Sequence, residues 1–282
     1  MKKLIINADD LGADEARNAG IFEGIQAGIV TSVSILSNGP AFGDALERIR
    51  SGSFRGVSWG VHLNLSEGKP ILTGASPLLG QDGLFRGKAS TQQLLMRGGN
   101  GDLENAIARE IEAQIALLEE SGILLRHLDG HQHVHVFPAV LRTAFQAAQK
   151  HHIPWIRIPD EPEPTPSDNT SPLWLRKEAN LFSWLGGTAR STLSETEMRT
   201  TDHFRGLYLK GRLSVPGLEA LLRQLPDGLT EIMVHPGFPH DLDRGQTRLL
   251  DSRRTELEAL CDPVVKEAFG RHHVELVHYG QL

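Results

Sequence analysis

The sequence predicts an α/β fold built on a mostly parallel sheet that gathers its functional residues at one face. Three observations lead there. Short apolar runs alternate with helix-period stretches along most of the 282 residues, as repeated βα units require. Four of those runs end in aspartate or histidine: Leu4-Ile5-Ile6 leads into Asp9-Asp10, Val61 into His62, Ile123-Leu124-Leu125 into a histidine-rich stretch, and Ile232-Met233-Val234 into His235. Parallel β/α architectures collect their strand ends at one face. The length and the 39% apolar content suit one large domain, so residues 1–282 read as a single unit with no internal repeat.

Each element has its own signal. Behind the first strand, a helix over 15–27 is closed by Gly28 and followed by a strand over 30–36. A helix over 41–49 precedes the strand 57–65 that carries His62. Residues 68–101 are rich in Gly, Pro and Ser without periodicity. They read as a long excursion on the loop side, placed to cover a ligand, with Leu84 and Phe85 as apolar contacts. The clearest helix spans 102–121, where Leu103, Ile107, Ile111, Ile115 and Leu118 form a stripe that core packing explains fully. Gly122 closes it ahead of the strand that runs into the histidines. A crossover helix over 138–150 and a strand over 155–158 follow. Residues 160–168 are proline-rich and acidic, hence loop, and 160–199 reads as a second excursion. Ser214 is a candidate cap for a helix from 216 to 225. A strand over 231–235, a helix over 252–269 and a strand over 274–279 complete the chain.

Asn7-Ala8-Asp9-Asp10 places two adjacent carboxylates where a buried strand ends. Neighbouring charges in a desolvated place are costly unless a cation shares the site. A metal ion answers that need: one carboxylate ligates it while the other takes a proton from water. The competing reading is a strand-to-helix loop in which Asp10 or Asp14 caps the helix beginning near Glu15.

The stretch His127-Leu128-Asp129-Gly130-His131-Gln132-His133-Val134-His135 puts four histidines and... a further acid, Asp129, into nine positions. In an extended chain the odd-numbered residues would share one side, a regularity that Gly130 ends. Imidazole is the commonest protein ligand for transition metals, and the segment lies mid-chain, where a terminal tag is excluded. His62, in Trp59-Gly60-Val61-His62-Leu63, and His235, ahead of the Pro236-Gly237 turn, gain weight only from this company.

These motifs, in this order and rough spacing, resemble the YdjC-like carbohydrate deacetylases, the family that includes the chitooligosaccharide deacetylases. The likeness runs from the first strand to His235. It implies a distorted (β/α) barrel related to the polysaccharide deacetylases, a divalent metal, and hydrolysis of an N-acetyl group on an amino sugar. Carried over by position, it makes Asp10, His62 and His131 the metal ligands, Asp9 the catalytic base and His235 the catalytic acid. That division asks for Asp9 deprotonated and His235 protonated near neutral pH, and so for a bell-shaped rate profile.

Other polar positions are open to two readings. Asp129, two residues from His131, either accepts a hydrogen bond from a ligand imidazole or caps the element near Pro138. Arg157, ending the run Ile156-Arg157-Ile158, either orients Asp9 or forms an ordinary salt bridge. His133 is a further candidate for supporting the site or touching substrate. His203, beside Phe204, either lines a sugar site or sits on a surface loop.

Composition removes several classes. The net charge of -6, with both signs interspersed, lacks the footprint of a nucleic-acid binder. A single cysteine, Cys261, excludes an intramolecular disulfide framework and a cysteine metal cluster. No apolar stretch approaches a membrane span, and the short run after Met1-Lys2-Lys3 is no signal peptide, so a cytoplasmic enzyme acting on a small N-acetylated sugar is expected. A homodimer is compatible with that setting. One carboxylate and two imidazoles suit zinc, nickel or cobalt, whereas magnesium wants more oxygen ligands. Other metal-dependent hydrolysis, of a phosphoester or another amide, and non-catalytic metal or sugar binding are the alternatives.

Overall fold

The computed structural model describes residues 1–99, 101–164, 171–193, 196–239 and 250–282. Among them, parallel strands form one sheet: β1 (Lys2–Leu11), β2 (Ser32–Ile35), β3 (Ser58–Leu63), β4 (Leu125–Gly130), β5 (Trp155–Ile156), β6 (His203–Arg205), β7 (Gly228–Val234) and β8 (Val274–Leu276). The order is β5-β4-β3-β2-β1-β7-β6. β1 is central: its first residues pair with β8, its last with β2, and Lys2 to Ala8 with β7. The outermost strands do not pair with each other, so the sheet is a curled half-barrel. Arg157, just beyond β5, reaches carboxylates on both β1 and β7, contacts that a flat sheet would not permit.

The helices include α1 (Glu15–Gln26), α2 (Phe42–Ser51), α3 (Lys88–Met96), α4 (Gly101–Glu120), α5 (Leu141–Lys150), α6 (Leu173–Leu193), α7 (Val215–Gln224), α8 (Leu250–Cys261) and α9 (Pro263–Arg271). Strands buried on both faces read as apolar runs, and Leu4, Ile6, Val33, Ile35, Val61, Leu63 and Leu128 are all within the core. The stripe foreseen on α4 is buried there too. Asp14, not Asp10, caps α1, accepting from Arg17 N at 2.7 Å, which frees Asp10 for another role. Ser214 caps α7 as its position indicates.

Three expectations change. The excursion over 68–101 contains α3, whose first residue reaches the central pocket, and Phe85 is buried in the core instead of facing a ligand. The second excursion contains the 21-residue helix α6; residues 165–170 and 194–195 of that segment lie outside the described residues. The last long helix is two, broken where Asp262 caps α9 and Pro263 opens it, since proline fits a first helical turn and not an interior. No helix among the described residues is long and apolar enough to cross a membrane.

Candidate active site

The two aspartates reach one site because β1 is irregular. On a regular strand Asp9 and Asp10 would face opposite ways. Between Ala8 and Leu11 the register against β2 slips by one residue, a β-bulge. Asp10 takes φ 73°, a left-handed conformation that aspartate tolerates better than most residues. The strain, about 1–3 kcal/mol, brings both carboxylates to the carboxyl ends of the strands.

There Asp10 meets His62 from β3 and His131 from the turn after β4. His62 Nε2 lies 3.5 Å from Asp10 Oδ1 and His131 Nδ1 lies 3.0 Å from the same oxygen. Ligands about 2.0–2.1 Å from a tetrahedral ion sit roughly 3.4 Å from one another, so this spacing fits a shared cation. His62 Nδ1 donates to Asp129 Oδ1 at 2.7 Å, which turns Nε2 towards the site, where an ion would take the place of its proton. The imidazole that Asp129 holds is therefore that of His62 on the neighbouring strand, not His131, and Asp129 caps no helix.

Electrostatics agree. Asp9, Asp10, Asp129 and Glu231 are buried, and among the described residues the guanidinium groups of Arg157 and Arg253 pair with them. Burial alone would lower the pKa of His62, but the charges of Asp129 and Asp9 and hydrogen bonds to Asp10 and Asp129 raise it to about 10. For His131, burial is likewise outweighed by Asp10, and its pKa rises. A divalent ion held by Asp10, His62 and His131 would displace those protons.

Arg157 is fully buried and grips Asp9 with two 2.7 Å hydrogen bonds, from Nη1 to Oδ2 and from Nη2 to Oδ1. Its Nε donates to Glu231, which also accepts from Tyr279. Asn7 Nδ2 donates to Asp9 Oδ1. Asp9 Oδ1 thus has two donors while Oδ2 has one, and Oδ2 is the oxygen 4.0 Å from His62 Nε2. Arg157 thus meets Asp9 in a buried, bidentate ion pair.

The histidine-rich stretch divides by backbone conformation. Gln132 and His133 adopt left-handed angles, φ 53° and 56°, so the chain turns sharply after β4. His131 stays at the site. His133 is buried in the pocket wall, edge-on to Phe182 at 4.6 Å, and His135 donates to Arg157 O. His127 lies one layer below, hydrogen-bonded to Ser34 and stacked on Tyr279. Its ring fits because residue 60 is glycine: a Cβ there would stand 2.3 Å from the imidazole.

His235 enters from the end of β7, where its backbone N donates to Glu256 on α8 at 2.7 Å. Burial pulls its pKa down to about 3 against the opposing pull of Asp9 and Asp10, with Arg253 assisting. That downward pull runs against the expectation of a protonated His235. His203 is also corrected. It stands at the start of β6 and bonds to Asp227 O, away from the pocket, and Phe204 is buried under Arg157, unavailable for stacking.

The site opens into a cleft of about 740 Å³, whose outer wall includes Trp174, Lys88, Glu178 and Lys210, a size suited to a small organic ligand. Glu178 bridges the two lysines. A family model described as YdjC-like protein matches residues 3–271 of the chain. The chain belongs to this family. Relatives of the YdjC-like chain include a carbohydrate deacetylase of Homo sapiens, 36% identical over 84% of this chain and 75% of that protein. Another is a carbohydrate deacetylase of Brevibacillus brevis, 27% identical over 99% of both. The crystal structure of a candidate cellobiose-phosphate cleavage protein from Enterococcus faecalis superposes with a TM-score of 0.76 at 27% identity, covering 99% of this chain and 98% of that one.

Several residues of this YdjC-like site escape sequence reasoning. Asn7 stands inside the recognised motif and Ser34 on a strand, without a signal that they share Asp9 and Asp129. Arg253 and Glu256 lie on a helix with no motif, and only the fold brings them in.

Proposed function

We propose that this protein is a metal-dependent carbohydrate deacetylase that removes the acetyl group from an N-acetylated amino sugar. The observation that carries this reading is the convergence of Asp10, His62 and His131 on one point, beside an Asp9 whose carboxylate is held by Arg157. The relatives described as carbohydrate deacetylases support the substrate class.

Asp10, His62 and His131 would hold the ion, and their two nitrogens and one oxygen favour zinc, cobalt or nickel over magnesium. When bound, it supplies Lewis-acid polarisation of the acetyl carbonyl and acidification of water. Asp9 Oδ2, with its spare lone pair, accepts the proton of the attacking water. Arg157 and Asn7 hold that carboxylate in place before substrate arrives. His235 begins neutral, so the proton it passes to the departing nitrogen is one gained during the cycle. Trp174 and the Lys88-Glu178-Lys210 group at the mouth offer an aromatic face and polar contacts for the sugar.

The test is acetate release from N-acetylglucosamine, its short oligomers and nucleotide- or lipid-linked forms. Acetate should appear with metal-loaded protein and stop after chelation. Phosphate release, or tight sugar binding without turnover, would contradict the reading.

A further inference from the structure

Arg253 is only 4% exposed, yet among the described residues its Nε and Nη1 have no hydrogen-bond partner. Its Nη2 donates to Asp10 Oδ2 at 2.7 Å, the oxygen that the two histidines leave free. Buried donors without acceptors cost about 1–3 kcal/mol each, more when charged, so such groups point to an acceptor that arrives with a ligand. Arg253 lines the same cleft as Asp9, His131 and His235. One turn further along α8, Glu256 accepts from His235 N and, at 2.9 Å, from Gly211 N. The same helix face therefore fixes both Arg253 and the backbone of His235.

We propose that Arg253 is a substrate-contacting residue whose free N–H groups hold an oxygen of the acyl group during cleavage and the carboxylate of the acetate formed. This rests on the deacetylase reading and adds to it a second positive group opposite Arg157. Water oxygen bonds to the acyl carbon, and the carbonyl π pair moves onto the acyl oxygen as negative charge. The oxyanion pair then re-forms the carbonyl as the C–N bond breaks, the nitrogen keeps the bonding pair and takes the proton that water gave to Asp9, and the second water proton also passes to the amine as acetate leaves as an anion. A guanidinium already fixed by Asp10 meets that charge without reorganising, and charge-assisted donors bind anionic oxygen better than neutral oxygen.

Calorimetric titration of acetate into zinc-loaded wild type and Arg253→Lys, beside zinc isotherms for both, tests this. Lysine keeps the charge beside Asp10 but has no counterpart of the planar fork that places the Nε and Nη1 donors. Zinc affinity should stay within about threefold, acetate affinity should fall at least about tenfold, and kcat/KM should fall about 100-fold at saturating zinc. Acetate affinity within twofold of wild type would overturn the proposal, and so would loss of zinc, which would assign Arg253 to holding Asp10 alone. In zinc-loaded wild type, an arginine Nε–H resonance should shift on adding acetate; an unchanged arginine spectrum overturns the proposal without recourse to a variant. Absence of acetate release by wild type from every sugar would retire the deacetylase reading itself, whereas release together with unaltered acetate binding in Arg253→Lys retires this inference only.

Discussion

At the scale of residues, the site separates holding a cation from moving a proton. Asp9 and Asp10 are neighbours, but the bulge in β1 gives one to Arg157 and the other to the histidines. Asp9→Asn should keep metal affinity near wild type and lower kcat by about 10²–10⁴-fold, the usual contribution of a positioned base; wild-type turnover would refute the assignment. Asp129→Asn replaces the carboxylate that orients His62 by a neutral amide and should weaken metal binding about 10–100-fold in an equilibrium titration. The pKa of about 3 for His235 also changes the expected pH profile. With the imidazole neutral throughout pH 6–8, kcat/KM should show no falling limb there that belongs to His235. A falling limb that disappears in His235→Gln would show the imidazole to be protonated after all.

At the scale of elements, the excursion between β3 and α4 is pinned from below. Glu110 on α4 accepts from Ile71 N at 2.9 Å and Leu72 N at 3.1 Å and from Gln114, which in turn bonds to Asn64. Glu110→Ala strips those acceptors and should cost about 2 kcal/mol in denaturant unfolding, with faster protease cleavage within 68–87; unchanged cleavage would show that the excursion is held elsewhere. Elements with strict periodicity and ordinary caps were legible in the sequence: α1 with Asp14 and Gly28, α4 with its stripe, α7 with Ser214. α6 was not, because Gly186, Gly187, Thr188, Ser191 and Thr192 dilute its pattern. Gly186 is there for packing, since a Cβ would stand 2.7 Å from the Pro159 carbonyl carbon. The break between α8 and α9 reads through as one helix over 252–269, because periodicity across it conceals the signal of Asp262-Pro263, a cap followed by a first-turn proline.

At the scale of the whole molecule, the histidines make stability depend on pH in two directions. Burial lowers the pKa of His127 and His135 to about 4 and of His235 to about 3. Unfolded histidine titrates near 6.5, so their contribution is present above that value and is lost as pH falls towards 4. His62, raised to about 10, contributes below 6.5 and loses its contribution as pH rises to 10. From these histidines the chelated protein should melt highest near pH 6.5, and a bound divalent ion should remove the alkaline decline by taking the place of the His62 proton. A melting temperature that climbs steadily from pH 7 to 9 in chelator would contradict this balance. The strand ends that carry Asp10, His62, His131 and His235 were readable because each apolar run stops at a chemical residue. Neither the orientation that Asp129 gives His62 nor the charge state of His235 could be read, because both depend on neighbours that only the curled sheet supplies.

The most direct test is a divalent-metal binding isotherm on chelator-stripped protein, run beside His62→Ala and His131→Ala. The account predicts one tight site per chain in wild type, with proton release on binding, and its loss in both variants. Absence of a site in wild type, or a site that both variants retain, would contradict it.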